Sequence, residues 1–197
     1  MPATALSAFR HLAGLVFYLD TSAVFPLALV AAGSMKPINS TRSGLVKAFC
    51  ADAQRASSRA VVSVLVLEEI AAKTRNEAQR DLLRAEGFDD WYAFEQADKA
   101  RADAERLNIK GRVLSMLQHA ADELGMMGVT VEQPLITGTP ADAGKKLRKT
   151  HREFLSKYQN IDSMDALHIA VGGLLGCKHF LSFDTAWIDI AEIQLLQ

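Results

Sequence analysis

The stretch DALHIAVGGLLGCKHFLSFD, Asp165 to Asp184, decides how this chain is read. It has the pattern of an amphipathic helix, a glycine break and a short apolar strand, with a carboxylate at each end. The other two strongly apolar strand-like segments also meet acids. VFYLD closes on Asp20, and Glu69 follows just after VVSVLVL. Strands that run parallel bring their C-terminal ends to one edge, and open α/β sheets place their sites at that edge. The pattern therefore points to a cluster of acids able to hold a hard divalent cation.

Working outward, Leu15 to Leu19 reads as a buried strand. A helix through Ala23 to Ala32 follows, with Thr21 and Ser22 as cap candidates and Pro26 in its first turn. Gly33 to Asn39 reads as loop, and Ser40 or Thr41 caps a helix presenting Leu45, Val46 and Phe49 on one face. Ala60 to Val66 is β-branched and continuous, as a buried parallel strand is. From Leu67 the pattern turns helical and charged as far as Gly87. Phe88 to Leu107 reads as a helix with a wide solvated face, and Val113 to Leu124 as a further amphipathic helix. Val129 to Val131 reads as a short strand ended by Pro134. A basic helix spans about Ala141 to Tyr158, and Asp162 or Ser163 caps the helix that runs to Gly176. Lys178 to Phe183 and Ile193 to Leu196 complete the strands. Alternation of strands and helices argues for an α/β fold with a parallel sheet.

At 197 residues the chain suits one domain, and 49% apolar residues can fill its core. A formal net charge of −1 excludes wholesale coating of nucleic acid but not a local basic groove. Cys50 and Cys177 lack any zinc-like spacing and read as core thiols in a reducing compartment. Leu12 to Ala32 is apolar, but Asp20, Pro26 and Gly33 interrupt it and no basic segment precedes it, so no membrane span is expected and the default location is cytoplasmic. Lys145, Lys146, Arg148, Lys149, His151 and Arg152 form the one concentrated basic run. It is either a phosphate-contacting face or a solvated helix face.

Crowded carboxylates repel, and a Mg²⁺ or Mn²⁺ ion removes that penalty through oxygen ligands. Such an ion activates water for in-line attack on phosphorus. Each acid also has a purely structural reading. Asp20 can cap the helix after it, Asp165 can favour a helix dipole, Asp184 can terminate a strand, and Glu69 can be a solvated charge. His168, one turn after Asp165, reads as a residue packed beneath the site.

Three blocks together resemble the PIN-domain nucleases, and within them the VapC-type toxins. YLDTSAV (Tyr18 to Val24) is similar to the family's opening strand with its Asp-Thr-Ser step. VSVLVLEEI (Val62 to Ile70) is similar to the second strand and helix start, with the family Glu falling on Glu69. DALHIA followed by GCKHFLSFD matches the third acid, helix, strand and Ser-x-Asp step, and Trp187 fills the aromatic position after Asp184. The resemblance implies a single PIN-like domain over residues 15–197; the chain departs from the family in its extension at 1–14 and in extra helices inserted at roughly 86–128. It implies a five-stranded parallel sheet between helices. Asp20, Glu69, Asp165 and Asp184 would form an acidic quartet for Mg²⁺ or Mn²⁺, oriented by Ser22 and Ser182. It further implies an endoribonuclease, the toxin of a type II toxin–antitoxin pair, acting on RNA, usually homodimeric and held inactive by a cognate antitoxin. Lys145, Lys149 and Arg152 are candidates for substrate contact.

A haloacid-dehalogenase-like phosphatase needs a second Asp where Ser22 stands. A response-regulator-like receiver needs an acidic pair and a late Lys that are not apparent. A PIN-like scaffold that binds RNA or protein without cleaving it remains the alternative, and so does a partner-binding module built on the middle helices.

Overall fold

The computed structural model describes residues 13–133, 140–188 and 194–196, with backbone alone at 140–143 and 194. The elements follow in the order β1 (Val16–Leu19), α1 (Thr21–Ala31), α2 (Pro37–Arg55), β2 (Arg59–Ser63), α3 (Val64–Glu86), α4 (Trp91–Ala97), α5 (Lys99–Met126), β3 (Thr130–Glu132), α6 (Pro140–Lys157), α7 (Ser163–Leu174), β4 (His179–Leu181) and β5 (Gln194–Leu196). A 3₁₀ turn, Thr185–Trp187, lies between the last two strands. Of the expected extension at 1–14 only residues 13 and 14 are described, and the strand-ending Pro134 lies outside the described residues.

The sheet has five strands in the order β3-β2-β1-β4-β5, and every pairing is parallel. The α/β class and the parallel sheet expected from the sequence are therefore present. β1 is central, with Phe17, Tyr18 and Leu19 almost fully buried. Its neighbours are β2 on one side and β4 on the other, so the chain order reverses between β1 and β4. A crevice at the carboxyl end of such a reversal is the usual ligand position in open α/β sheets.

Several boundaries differ from those expected, each for a local reason. β2 stops at Ser63, and Val64 to Val66 already belong to α3. Val66, Ile70, Thr74 and Ala78 are its buried positions, a helical spacing that carries more weight than the β-branched composition. α2 starts at Pro37, earlier than Ser40, because proline suits the first helical turn. Asp20 caps α1 in place of Thr21 or Ser22. The middle helices break at Asp98, whose extended backbone and side chain cap α5 through the Arg101 N–H at 3.0 Å. From there α5 runs unbroken through Gly111 to Met126. It packs against α1 and α3, and its Ala120 and Leu124 are buried in the main core.

α7 approaches the sheet closely. At Gly172 an added Cβ would lie 2.4 Å from Phe180 Cε1 and 3.2 Å from Tyr18 Cδ2. The missing side chain lets Tyr18, Phe180 and Trp187 pack beneath the helix, the Tyr18–Phe180 pair tilted and the Phe180–Trp187 pair T-shaped, at centroid distances of 5.3 and 5.9 Å. Cys50 and Cys177 are buried free thiols, and burial pushes both up to about 12. Among the described residues no helix is long and apolar enough to cross a membrane.

Candidate functional site

β1 ends at Leu19, so Asp20 emerges at the carboxyl edge of the sheet beside the β1–β4 reversal. Its Oδ2 accepts the Ser22 N–H at 3.2 Å and the Ser182 hydroxyl at 3.0 Å. Its Oδ1 accepts no hydrogen bond among the described residues. Ser182 follows β4, and its hydroxyl also meets Ser22 Oγ at 3.0 Å and accepts the Asp184 N–H at 3.1 Å. Ser22 in turn accepts the Phe183 N–H at 2.8 Å. These short side chains tie the start of α1 to the segment after β4. Asp184 itself accepts the Ala186 N–H at 2.9 Å and so starts the 3₁₀ turn.

Glu69 does not sit at a strand end, because β2 is shorter than its sequence suggests. It lies in the second turn of α3, and that turn delivers its side chain to the same edge. Oε2 accepts from Thr21 Oγ1 at 2.5 Å and from His168 Nε2 at 3.0 Å, and Oε1 meets Lys73 Nζ at 2.9 Å. Burial alone would raise the carboxyl, but the hydrogen bonds from His168, Thr21 and Lys73 outweigh it and hold it down at about 2. Ligand atoms of Asp20, Glu69 and His168 lie within 4.8 Å of one another.

Asp165 and Asp184 are not in that tight group, but they interact with each other. Asp165 is the third helical residue of α7 and half of a capping box. Asp162 Oδ1 accepts from the Met164 and Asp165 N–H groups at 2.7 and 2.8 Å, and Asp165 Oδ2 accepts the Asp162 N–H at 3.3 Å. Burial raises the Asp165 carboxyl, and the neighbouring carboxylates of Asp162 and Asp184 raise it further. The indole of Trp187, fully buried, works in the opposite direction.

Behind the acids stands a buried polar line. Tyr18 Oη is 2.7 Å from Ser63 Oγ and 2.7 Å from His168 Nδ1. Tyr18, Ser63 and His168 are all at most 2% exposed. Burial holds the Tyr18 phenol above its ordinary range, so it keeps its proton. Thr21, Tyr18, Ser63 and Lys73 are not among the site residues expected from sequence, Thr21 being read there only as a cap candidate. Two signals for them are legible: Tyr18 shares a strand face with Asp20 two residues on, and Lys73 follows Glu69 by one helical turn.

Lys145, Lys149 and Arg152 lie on the exposed face of α6 with Arg148 and Lys157, opposite the core-packed Leu147, Phe154 and Tyr158. α6 is fastened to the start of α7, where His151 Nε2 donates to the Ser163 carbonyl at 2.9 Å.

No protein-family model and no curated protein matches the chain. Among solved structures it is similar to the Mycobacterium tuberculosis toxin VapC20, described as a sarcin-ricin loop cleaving toxin. The identity is 21% and the TM-score 0.40, over 90% of this chain and 98% of that one.

Proposed function

We propose that this chain is a Mg²⁺- or Mn²⁺-dependent endoribonuclease of the PIN type, and that it acts as the toxin of a toxin–antitoxin pair. The observation that supports the metal site is the closeness of Asp20 and Glu69 at the β2-β1-β4 edge; the Asp184 N–H bonds the same Ser182 hydroxyl that holds Asp20, and Asp165 interacts with Asp184. Among the described residues no Lys or Arg comes within ion-pair distance of Asp20 or Asp165. Asp20 Oδ1 accepts no hydrogen bond among the described residues, and burial with neighbouring carboxylates disfavours the charge on Asp165. Both features fit a hard cation bound through oxygen. The chemistry such an ion supplies when bound is a lowered pKa for a coordinated water and a counter-charge for phosphate.

The protein's own part is orientation. Ser182 and the Ser22 N–H fix Asp20. Thr21, His168 and Lys73 fix Glu69, and the capping box fixes Asp165. The basic face of α6, anchored two residues from Asp165, suits an RNA backbone. The toxin role, the antitoxin partner and the homodimer rest on the resemblance of the three sequence blocks.

One observation favours the scaffold reading: the Glu69 carboxylate is already satisfied by three protein donors. Metal binding separates the two. End-labelled RNA and single-stranded DNA are incubated with the pure protein in Mg²⁺, Mn²⁺ or EDTA, with Asp20→Asn alongside. Metal-dependent cutting of RNA that disappears in the variant is expected. Equal cutting by parent and variant refutes the site, and a folded parent that binds no divalent ion supports the scaffold.

A further inference from the structure

Asp20, Glu69 and His168 together have the composition of a mixed oxygen and nitrogen centre, which would suit Zn²⁺ or Ni²⁺ as well as Mn²⁺. The hydrogen bonds argue otherwise. An ionised carboxylate only accepts, so the 3.0 Å contact to Glu69 Oε2 requires a proton on His168 Nε2. The opposite ring nitrogen, Nδ1, is 2.7 Å from Tyr18 Oη. Neither nitrogen offers a lone pair to an ion without breaking a buried bond, and a buried polar group left unpaired is costly. Tyr18 has one proton and two partners, so it donates to one and accepts from the other, with Ser63 completing the line. Every polar atom between Ser63 and Glu69 then has its partner, and the line leads to the site only through the Glu69 carboxylate.

We propose that His168 is a positioning residue that donates Nε2–H to Glu69 and stays outside the ligand set, so that the centre takes its cation through oxygen alone. Tyr18 and Ser63 hold the ring in place. Lys73 pins the other Glu69 oxygen, so the carboxylate is fixed from both ends. This deepens the metal-site reading and rests on it.

The test is Mn²⁺ titration followed by electron paramagnetic resonance, with pulsed measurements for nitrogen coupling. The proteins are the parent, His168→Gln, His168→Leu and Tyr18→Phe, each checked for folding by circular dichroism. The parent should bind Mn²⁺ with no coupling from a directly bound imidazole. His168→Gln keeps an amide donor and should retain most of the affinity. His168→Leu should weaken binding about 10–100-fold, the usual cost of removing an outer partner of a ligand. Tyr18→Phe should fall between the two. Imidazole coupling in the parent that vanishes in His168→Gln makes the histidine a ligand and overturns the proposal. Parent-like affinity in a folded His168→Leu protein overturns it too. If His168→Leu does not fold, the parent's pulsed spectrum and the two milder variants still decide. A folded parent that binds no Mn²⁺ removes the metal reading itself, a result distinct from either.

Discussion

Gly172→Ala is a small change whose effect should be set by the packing of α7 on the sheet. The added methyl would stand 2.4 Å from Phe180 Cε1 and 2.6 Å from Cζ, well inside the ~3.5–4.0 Å optimum for carbon pairs. The Phe180 ring is 1% exposed and packed between Tyr18 and Trp187, so it has little room to turn aside. Overpacking a filled core costs roughly 1–3 kcal/mol, while alanine's helix propensity returns up to about 1 kcal/mol. The net is a loss of about 1–2 kcal/mol, or roughly 2–8 °C in Tm for a domain of this size. The neighbouring glycine is the control. Gly173 is exposed, with nothing within 4 Å of an added Cβ, so Gly173→Ala should gain about 0.5 kcal/mol. Urea denaturation of both variants and the parent, at equal m-values, gives the comparison. A Gly172→Ala protein at least as stable as the parent refutes the reasoning.

Other expectations are simpler to state. The Glu69 carboxyl is depressed from 4.5 to about 2 on folding, so its stabilisation is fully present above pH 4.5 and is lost as pH falls towards 2. Between pH 7 and pH 3 the parent should therefore lose more stability in urea than Glu69→Gln does, and equal losses would count against the depression. Asp162→Ala removes the acceptor for two N–H groups of α7 and should cost about 1 kcal/mol, with Asp162→Asn largely spared, both read by chemical denaturation. Replacing Lys145, Lys149 and Arg152 with Gln should flatten the slope of log affinity against log salt for single-stranded RNA by about 0.7 per lost contact. An unchanged slope would make that face of α6 a solvated surface only.

The sheet is legible because the apolar runs at Leu15–Leu19, Ala60–Val66 and Lys178–Phe183 are short, continuous and separated by helical stretches. Parallel pairing follows from that alternation. The β2–α3 junction was not legible, since Val64, Leu65 and Val66 suit a strand by composition and a helix by spacing, and only packing decides between them. That shift moved Glu69 off the strand end and into reach of Thr21 and His168. The break at Asp98 was hidden in a tract whose charges suit a helix on either side. The roles of Tyr18, Ser63 and His168 depend on contacts across 45 to 150 residues, which no local pattern records.

The two oxygens of Asp20 have separate employments. Oδ2 belongs to the architecture, holding the first turn of α1 and the hydroxyl of Ser182, while Oδ1 accepts no hydrogen bond among the described residues. On the proposed function, stability and chemistry meet in one side chain yet can be parted by an isosteric exchange. Asparagine caps a helix about as well as aspartate, so Asp20→Asn should leave the helix start intact while removing the charge and replacing the second oxygen with an amide nitrogen. Alanine would remove both and confuse a lost fold with a lost function. Tolerance of this position should therefore depend on what is selected: asparagine for a folded chain, and aspartate alone for an active one.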